Sequence, residues 1–132
     1  MKKLGKRILA LGLTLGVICS IGSVSFAASK LTPTIGGYKA SATSSIEKSY
    51  ASSSTTYNGS GAVSVNSKYI VSHKDTRRER TLTGSKGNYG TVTLTISAPK
   101  YHESKRITTT HKVFATNQSW TGTTSASTWL DQ

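Results

Sequence analysis

The sequence predicts an all-β fold, a small antiparallel β-sandwich or barrel-like domain, preceded by a helical signal peptide. Three observations carry the β prediction. Side chains alternate in polarity with a period of two along several segments. Gly- and Asn-rich turn signals separate these segments at spacings of roughly ten residues. Beyond the N-terminal leader, no stretch repeats apolar residues at the i, i+3, i+4 spacing of a helix face. A chain of 132 residues with this pattern suits a sandwich of roughly six to eight strands.

The leader is read first, because it does not belong to the fold. Lys2, Lys3, Lys6 and Arg7 open the chain, residues 8–21 carry no charge and are largely apolar, and the Ser25-Phe26-Ala27 segment supplies small residues, Ser25 and Ala27, around a cut. These are the parts of a secretory signal peptide, residues 1–27, with cleavage after Ala27. The apolar run is shorter than the about 20 residues a membrane span needs, and Gly12, Thr14 and Gly16 interrupt it. The single cysteine, Cys19, follows Val17 and Ile18 rather than the small residues that lipidation needs. The exported chain is then cysteine-free, so neither a disulfide framework nor a thiolate metal site can hold it together.

Each later element follows in order. Residues 28–37 contain Pro33 and the Gly36–Gly37 pair and read as an N-terminal leader of the mature chain, outside the core. Residues 38–132 read as a single β domain. Tyr38, Ala40, Ala42, Ser44 and Ile46 share one side of a first strand, and the Ser/Thr-rich residues 48–57 give a second. Asn58-Gly59-Ser60-Gly61 reads as a hairpin turn, followed by a strand with Val63, Val65, Ser67, Tyr69 and Val71 on one face. A charged loop at residues 74–80 leads to a short strand around Leu82, and residues 84–90 close another hairpin. Residues 91–98 alternate most cleanly, with Val92, Leu94, Ile96 and Ala98 on one side, and Pro99 ends the strand. A basic turn at residues 100–106 precedes a strand in which Ile107, Thr109, His111, Val113 and Ala115 share a face. Asn117–Gln118 turns the chain into a polar tail carrying Trp120 and Trp129.

Catalysis makes the sharpest demands and finds little here. Glu47, Asp75, Glu79, Glu103 and Asp131 are the only acids, and most sit among Lys and Arg, where a solvated ion pair is the ordinary role. Serines abound and His73, His102 and His111 are present, yet no Gly-x-Ser-x-Gly elbow marks a nucleophile. His102 and Glu103 in a turn could approach His111 across a hairpin, but the spacing matches no zinc pattern. The chain is therefore expected to be no enzyme and to hold no metal or cofactor. The row Thr91, Thr93 and Thr95, with Thr108 and Thr110 on an adjacent strand, invites a flat-array reading, although β propensity explains the threonines equally well.

Charge is the more informative signal. Of the 17 Lys and Arg, Lys2, Lys3, Lys6 and Arg7 leave with the signal peptide, and the remainder still far outnumber the 5 acids. Lys74, Arg77, Arg78 and Arg80 gather in one loop and Lys105 and Arg106 in another, with Tyr69, Tyr101 and Trp120 as candidate apolar contacts. If both loops meet at one end of the domain, they form a cationic patch suited to an anionic cell-wall polymer, a membrane surface or an acidic polysaccharide. Export removes intracellular nucleic acid from the candidate partners.

The segment Tyr101-His102-Glu103-Ser104-Lys105, followed by His111 and Trp120, resembles small secreted lactococcin-type β-sandwich bacteriocins over a minor part of the chain. The chain closes with Trp129-Leu130-Asp131-Gln132 and lacks the aromatic ending usual in that group. The resemblance implies an antibacterial role and assigns no site residue. The expectation from the sequence is thus a small secreted, non-enzymatic binding protein, bacteriocin-like. The alternatives are a self-associating envelope or matrix protein, and a hydrolase or hydrolase inhibitor.

Overall fold

The computed structural model describes residues 28–128, all of its regular structure being β. The strands are β1 (Ala28–Leu31), β2 (Thr34–Ile35), β3 (Tyr38–Ile46), β4 (Tyr50–Tyr57), β5 (Gly61–His73), β6 (Glu79–Tyr89), β7 (Thr91–Ser97), β8 (His102–Ala115) and β9 (Gln118–Ser127). They form two antiparallel sheets, one in the order β9-β8-β5-β6 and the other β1-β3-β4-β7, with β2 pairing β3 beside β1. Residues 1–27, where a signal peptide is expected, and Trp129 lie outside the described residues.

Alternation explains the layers. Ala40, Ala42, Ser44 and Ile46 on β3, Ala51, Ser53, Thr55 and Tyr57 on β4, and Val63, Val65, Ser67, Tyr69 and Val71 on β5 are all buried, while their neighbours in sequence are more exposed. The inward sides of the two sheets face each other. Near one end Ile35, Ala40, Tyr57, Val63, Val65, Val92 and Val113 pack together, and near the other Ile46, Ala51, Tyr69, Val71, Ile107 and Ala126 do so. Each fully buried Val or Ile contributes about 1.5–3 kcal/mol relative to its exposed state.

Several expected turns prove to be something else. Asn58–Gly61 does not close a hairpin: β4 and β5 belong to different sheets, so this segment carries the chain from one layer to the other. Residues 84–89 lie inside β6, which pairs with β5 as far as Ala62–Tyr89. Gly90, at φ 77°, then turns the chain back to the other sheet. The glycines of this strand imitate a turn in the sequence, but eleven residues of β5 are available as a template. Residues 28–37 are also more than a leader, since β1 and β2 hydrogen-bond along β3 and Ile35 is buried in the core. The polar tail forms β9, paired with β8 from Gln118–Ala115 to Ser127–Arg106. Thr108 and Thr110 lie on the opposite sheet from Thr91, Thr93 and Thr95, so the expected joint row does not exist.

The expected basic turn at residues 100–106 is mostly strand. Only residues 98–101 connect β7 to β8, and β8 begins at His102. Along it Ile70 pairs with Arg106 but Val71 pairs with Ser104, which leaves Lys105 as an extra residue in a β-bulge. The bulge resets the alternation, so that Ser104 points inward on one side of it and Ile107, Thr109, His111 and Val113 on the other.

Candidate functional site

The two basic loops meet. His73 at the end of β5 pairs with His102 at the start of β8, so the β5–β6 loop and the β7–β8 connection emerge side by side. The Lys74 backbone N–H donates to the Tyr101 carbonyl at 2.8 Å and joins them directly.

Each loop is held locally by its own backbone. In the first, the His73 N–H donates to the Arg78 carbonyl at 2.9 Å and the Arg77 N–H to the His73 carbonyl at 3.0 Å. The His73 ring Nδ1 accepts from the Asp75 and Thr76 amides at 3.2 and 3.3 Å, which fixes this ring as a turn-former. Arg77 and Tyr101 sit at the loop tips with φ of 60° and 66°, conformations that most residues avoid. In the second loop the His102 N–H donates to the Pro99 carbonyl at 3.0 Å, and its ring Nδ1 donates to the Lys100 carbonyl at 2.9 Å. The His73 and His102 rings meet edge to face at 5.1 Å, and Tyr101 lies 6.4 Å from His73 with the Lys100 ammonium 5.1 Å from its own ring centre.

A third turn joins this end. The Ser104 N–H donates to the Lys48 carbonyl and the Ala98 N–H to the Ser49 carbonyl, both at 2.8 Å, which brings the β3–β4 turn alongside. Lys48 and Glu47 thereby join the charged end. Nothing in the sequence spacing announced this, because the contact depends on how the two sheets stack.

Among the expected contact residues, Lys74, Arg77, Arg78 and Arg80 are exposed here, as is Tyr101, at 59%. Lys105 lies in the bulge and forms an ion pair with Glu79. Arg106 pairs with Ile70 one step further along the sheet. Two aromatic residues do not belong to the site. Tyr69 is fully buried and its hydroxyl hydrogen-bonds Ser104 Oγ at 2.5 Å; burial raises its pKa. Period-two alternation had already placed it among Val63, Val65 and Val71, and the inward face has no access to a partner. Trp120 pairs with Val113 in the far half of the molecule, where it packs on the Ile35–Tyr57 cluster and lies over Gly122. That is roughly 30 Å along the strand from His73, at the usual rise per residue.

The charge of this end is mixed. Every acid among the described residues, Glu47, Asp75, Glu79 and Glu103, lies in these same segments. Cations still outnumber them, with Lys48, Lys74, Arg77, Arg78, Arg80, Lys100, Lys105 and Arg106 present.

Compared with known proteins, the chain matches no family model, and no curated protein and no solved structure matches it.

The remaining titratable cluster lies elsewhere. His111 is in the interior, far along β8 from His102 and Glu103, so these three groups do not share one site. Its Nδ1 hydrogen-bonds Thr55 Oγ1 and its Nε2 hydrogen-bonds Thr124 Oγ1, each at 2.7 Å. Burial pushes its pKa down from 6.5 to about 4. Around it Thr124 bonds Ser44, and Ser53, Ser67 and Thr109 bond one another, so a belt of hydroxyls spans the interior between the two apolar clusters. Among the described residues no three His, Cys, Asp or Glu side chains gather closely enough to hold a metal ion.

Proposed function

We propose that the protein is an exported, non-enzymatic binding module, a β-sandwich released from its signal peptide after Ala27, whose cationic end attaches to an anionic cell-envelope polymer or headgroup surface. The observation that supports this most is the 2.8 Å bond from Lys74 to Tyr101, which joins two loops distant in sequence into one exposed surface. Lys74, Arg77, Arg78 and Arg80 supply the attraction, and Tyr101 with Lys100 supplies an amphipathic contact. Lys105 contributes less, because Glu79 already neutralises it. The acids at this end give the surface a pattern rather than a uniform field, favouring a polymer of spaced charges. An antibacterial action, as in the bacteriocin-like reading, would follow from binding to such an envelope component.

The test is binding to anionic vesicles and to wall preparations across a salt series. Attraction through exposed charges weakens as the Debye length contracts from about 10 Å at 0.1 M to about 3 Å at 1 M. Affinity should fall steeply over that range, and Arg77→Ala with Arg78→Ala should abolish most of it at low salt. Binding that ignores salt and survives the double substitution would remove the proposal.

A second reading, self-association through an edge strand, is favoured by β7. Its seven residues, Thr91–Ser97, carry no charge, Gly or Pro, and it pairs with β4 on one side only. The strong positive charge of the chain opposes such assembly at low salt.

A further inference from the structure

The outer face of the β9-β8-β5-β6 sheet carries a second feature, independent of the cationic end. Register places Phe114, Ala62 and Tyr89 in one cross-strand row. Both rings are turned to solvent, Phe114 at 50% and Tyr89 at 79% exposure, on either side of a single methyl group. They stand two strand spacings apart, about 10 Å.

The next row along the sheet has Lys112, Ser64 and Gly87, and the one beyond it Thr110, Asn66 and Ser85. Because Gly87 has no side chain, the sheet opens here into a shallow depression of about 530 Å³ with Lys112 at its rim, whereas Lys86, paired with the buried Val65, belongs to the opposite face of β6. A side chain at Gly87 would enter this space: a Cβ there lies 3.4 Å from the Val63 carbonyl and 3.8 Å from Ser64 Cβ, and its φ is not left-handed.

The polar groups around the depression differ from those on the other sheet. There, outward hydroxyls bond one another across strands, Ser52 with Thr95, Ser54 with Thr93 and Thr91 with Thr56. Here the side chains of Asn66, Ser85 and Thr110 make no hydrogen bond with another described residue and remain available to a ligand. No acid lies on this face among the described residues, since Glu47, Asp75, Glu79 and Glu103 all belong to the opposite end.

We infer that this face binds an acidic oligosaccharide laid across the strands, its sugar rings against Phe114 and Tyr89 and a carboxylate group toward Lys112. A sugar presents an apolar C–H face suited to an aromatic ring and a rim of hydroxyls suited to Asn, Ser and Thr side chains. Two exposed rings flanking a methyl floor, next to an uncharged polar hollow edged by the Lys112 ammonium, supply each of these partners. The charge complementarity selects an acidic glycan over a neutral one.

The test is calorimetric titration with a hexamer of galacturonic acid, and in parallel with a neutral hexamer of glucose. The acidic hexamer should bind, and the neutral one should bind at least about tenfold more weakly. Gly87→Gln, which fills the hollow, and Tyr89→Ala, which removes an exposed ring without touching the core, should each weaken the acidic hexamer by about tenfold or more. Both variants should unfold at the wild-type temperature. All titrations are made in the Arg77→Ala with Arg78→Ala background, where the cationic end no longer attracts the acidic hexamer. The binding that remains reports on this face alone, and its failure is separate from failure of the cationic end. Absence of binding, equal affinity for the two hexamers, or unchanged affinity in both Gly87→Gln and Tyr89→Ala would overturn the inference.

Discussion

The protein keeps two dense polar regions, and they are built on opposite principles. In the interior belt each of Ser44, Ser53, Thr55, Ser67, Thr109, His111 and Thr124 is buried and bonded to another member. At the cationic end the backbone is tightly bonded while Lys74, Arg77, Arg78 and Arg80 extend into solvent. The comparison teaches that polarity alone does not mark a site here. A hydroxyl or imidazole saturated inside the fold costs little to bury and has nothing left to offer a partner, whereas an exposed guanidinium on a fixed loop does. Substitutions in the belt should therefore act on stability, and substitutions at the end should act on binding.

The largest effect that could break this contrast is the pH dependence of folding. The native state holds His111 neutral to about pH 4, while the unfolded chain takes up the proton near 6.5. The unfolded state then binds more protons within that window, so stability is complete above about 6.5 and drains as pH falls toward 4, by roughly 3 kcal/mol. The groups facing the ring, Thr55 and Thr124, carry no charge that would offset the loss. Urea unfolding at a series of pH values checks this. In His111→Leu the slope between pH 6.5 and 4 should flatten, and overall stability at pH 7 should fall by about 1–3 kcal/mol because two hydroxyls lose their partner. An unchanged slope would mean that His111 is not the titrating group.

A smaller effect sharpens the other side of the comparison. Lys105 and Glu79 form an ion pair at a half-exposed bulge, where the median contribution is below about 1 kcal/mol. A double-mutant cycle with Lys105→Ala and Glu79→Ala should give a coupling of that size, screened further by salt. A coupling of several kcal/mol would show that the bulge is a structural keystone rather than a surface feature.

Much of this organisation was legible in the residues themselves. The strict alternation of residues 91–98 and of 107–115 defined β7 and the inner half of β8, because period two has no other common explanation. The strand from Gln118 was not legible, since its inward residues, Trp120, Gly122, Thr124 and Ala126, offer almost no contrast with their neighbours and depend on β8 as a template. Glycines misled at residues 84–87, where they sit in a strand. The clustering of the site was foreseeable for the charged loops only as a condition. Whether they met depended on the His73–His102 pairing, a contact between strands that local sequence does not encode. The bulge at Lys105 was equally hidden, and with it the reason that Ser104 and Ile107 both point inward.

The most direct test sets location against net charge. Two double variants remove the same charge from different places: Arg77→Ala with Arg78→Ala at the cationic end, and Lys30→Ala with Lys39→Ala on the exposed side of the other sheet. Their affinities for anionic vesicles at low salt should diverge, with the arginine variant losing most of its binding and the lysine variant retaining it. Equal losses would mean that the protein responds only to its overall charge, and the cationic end would have no special role.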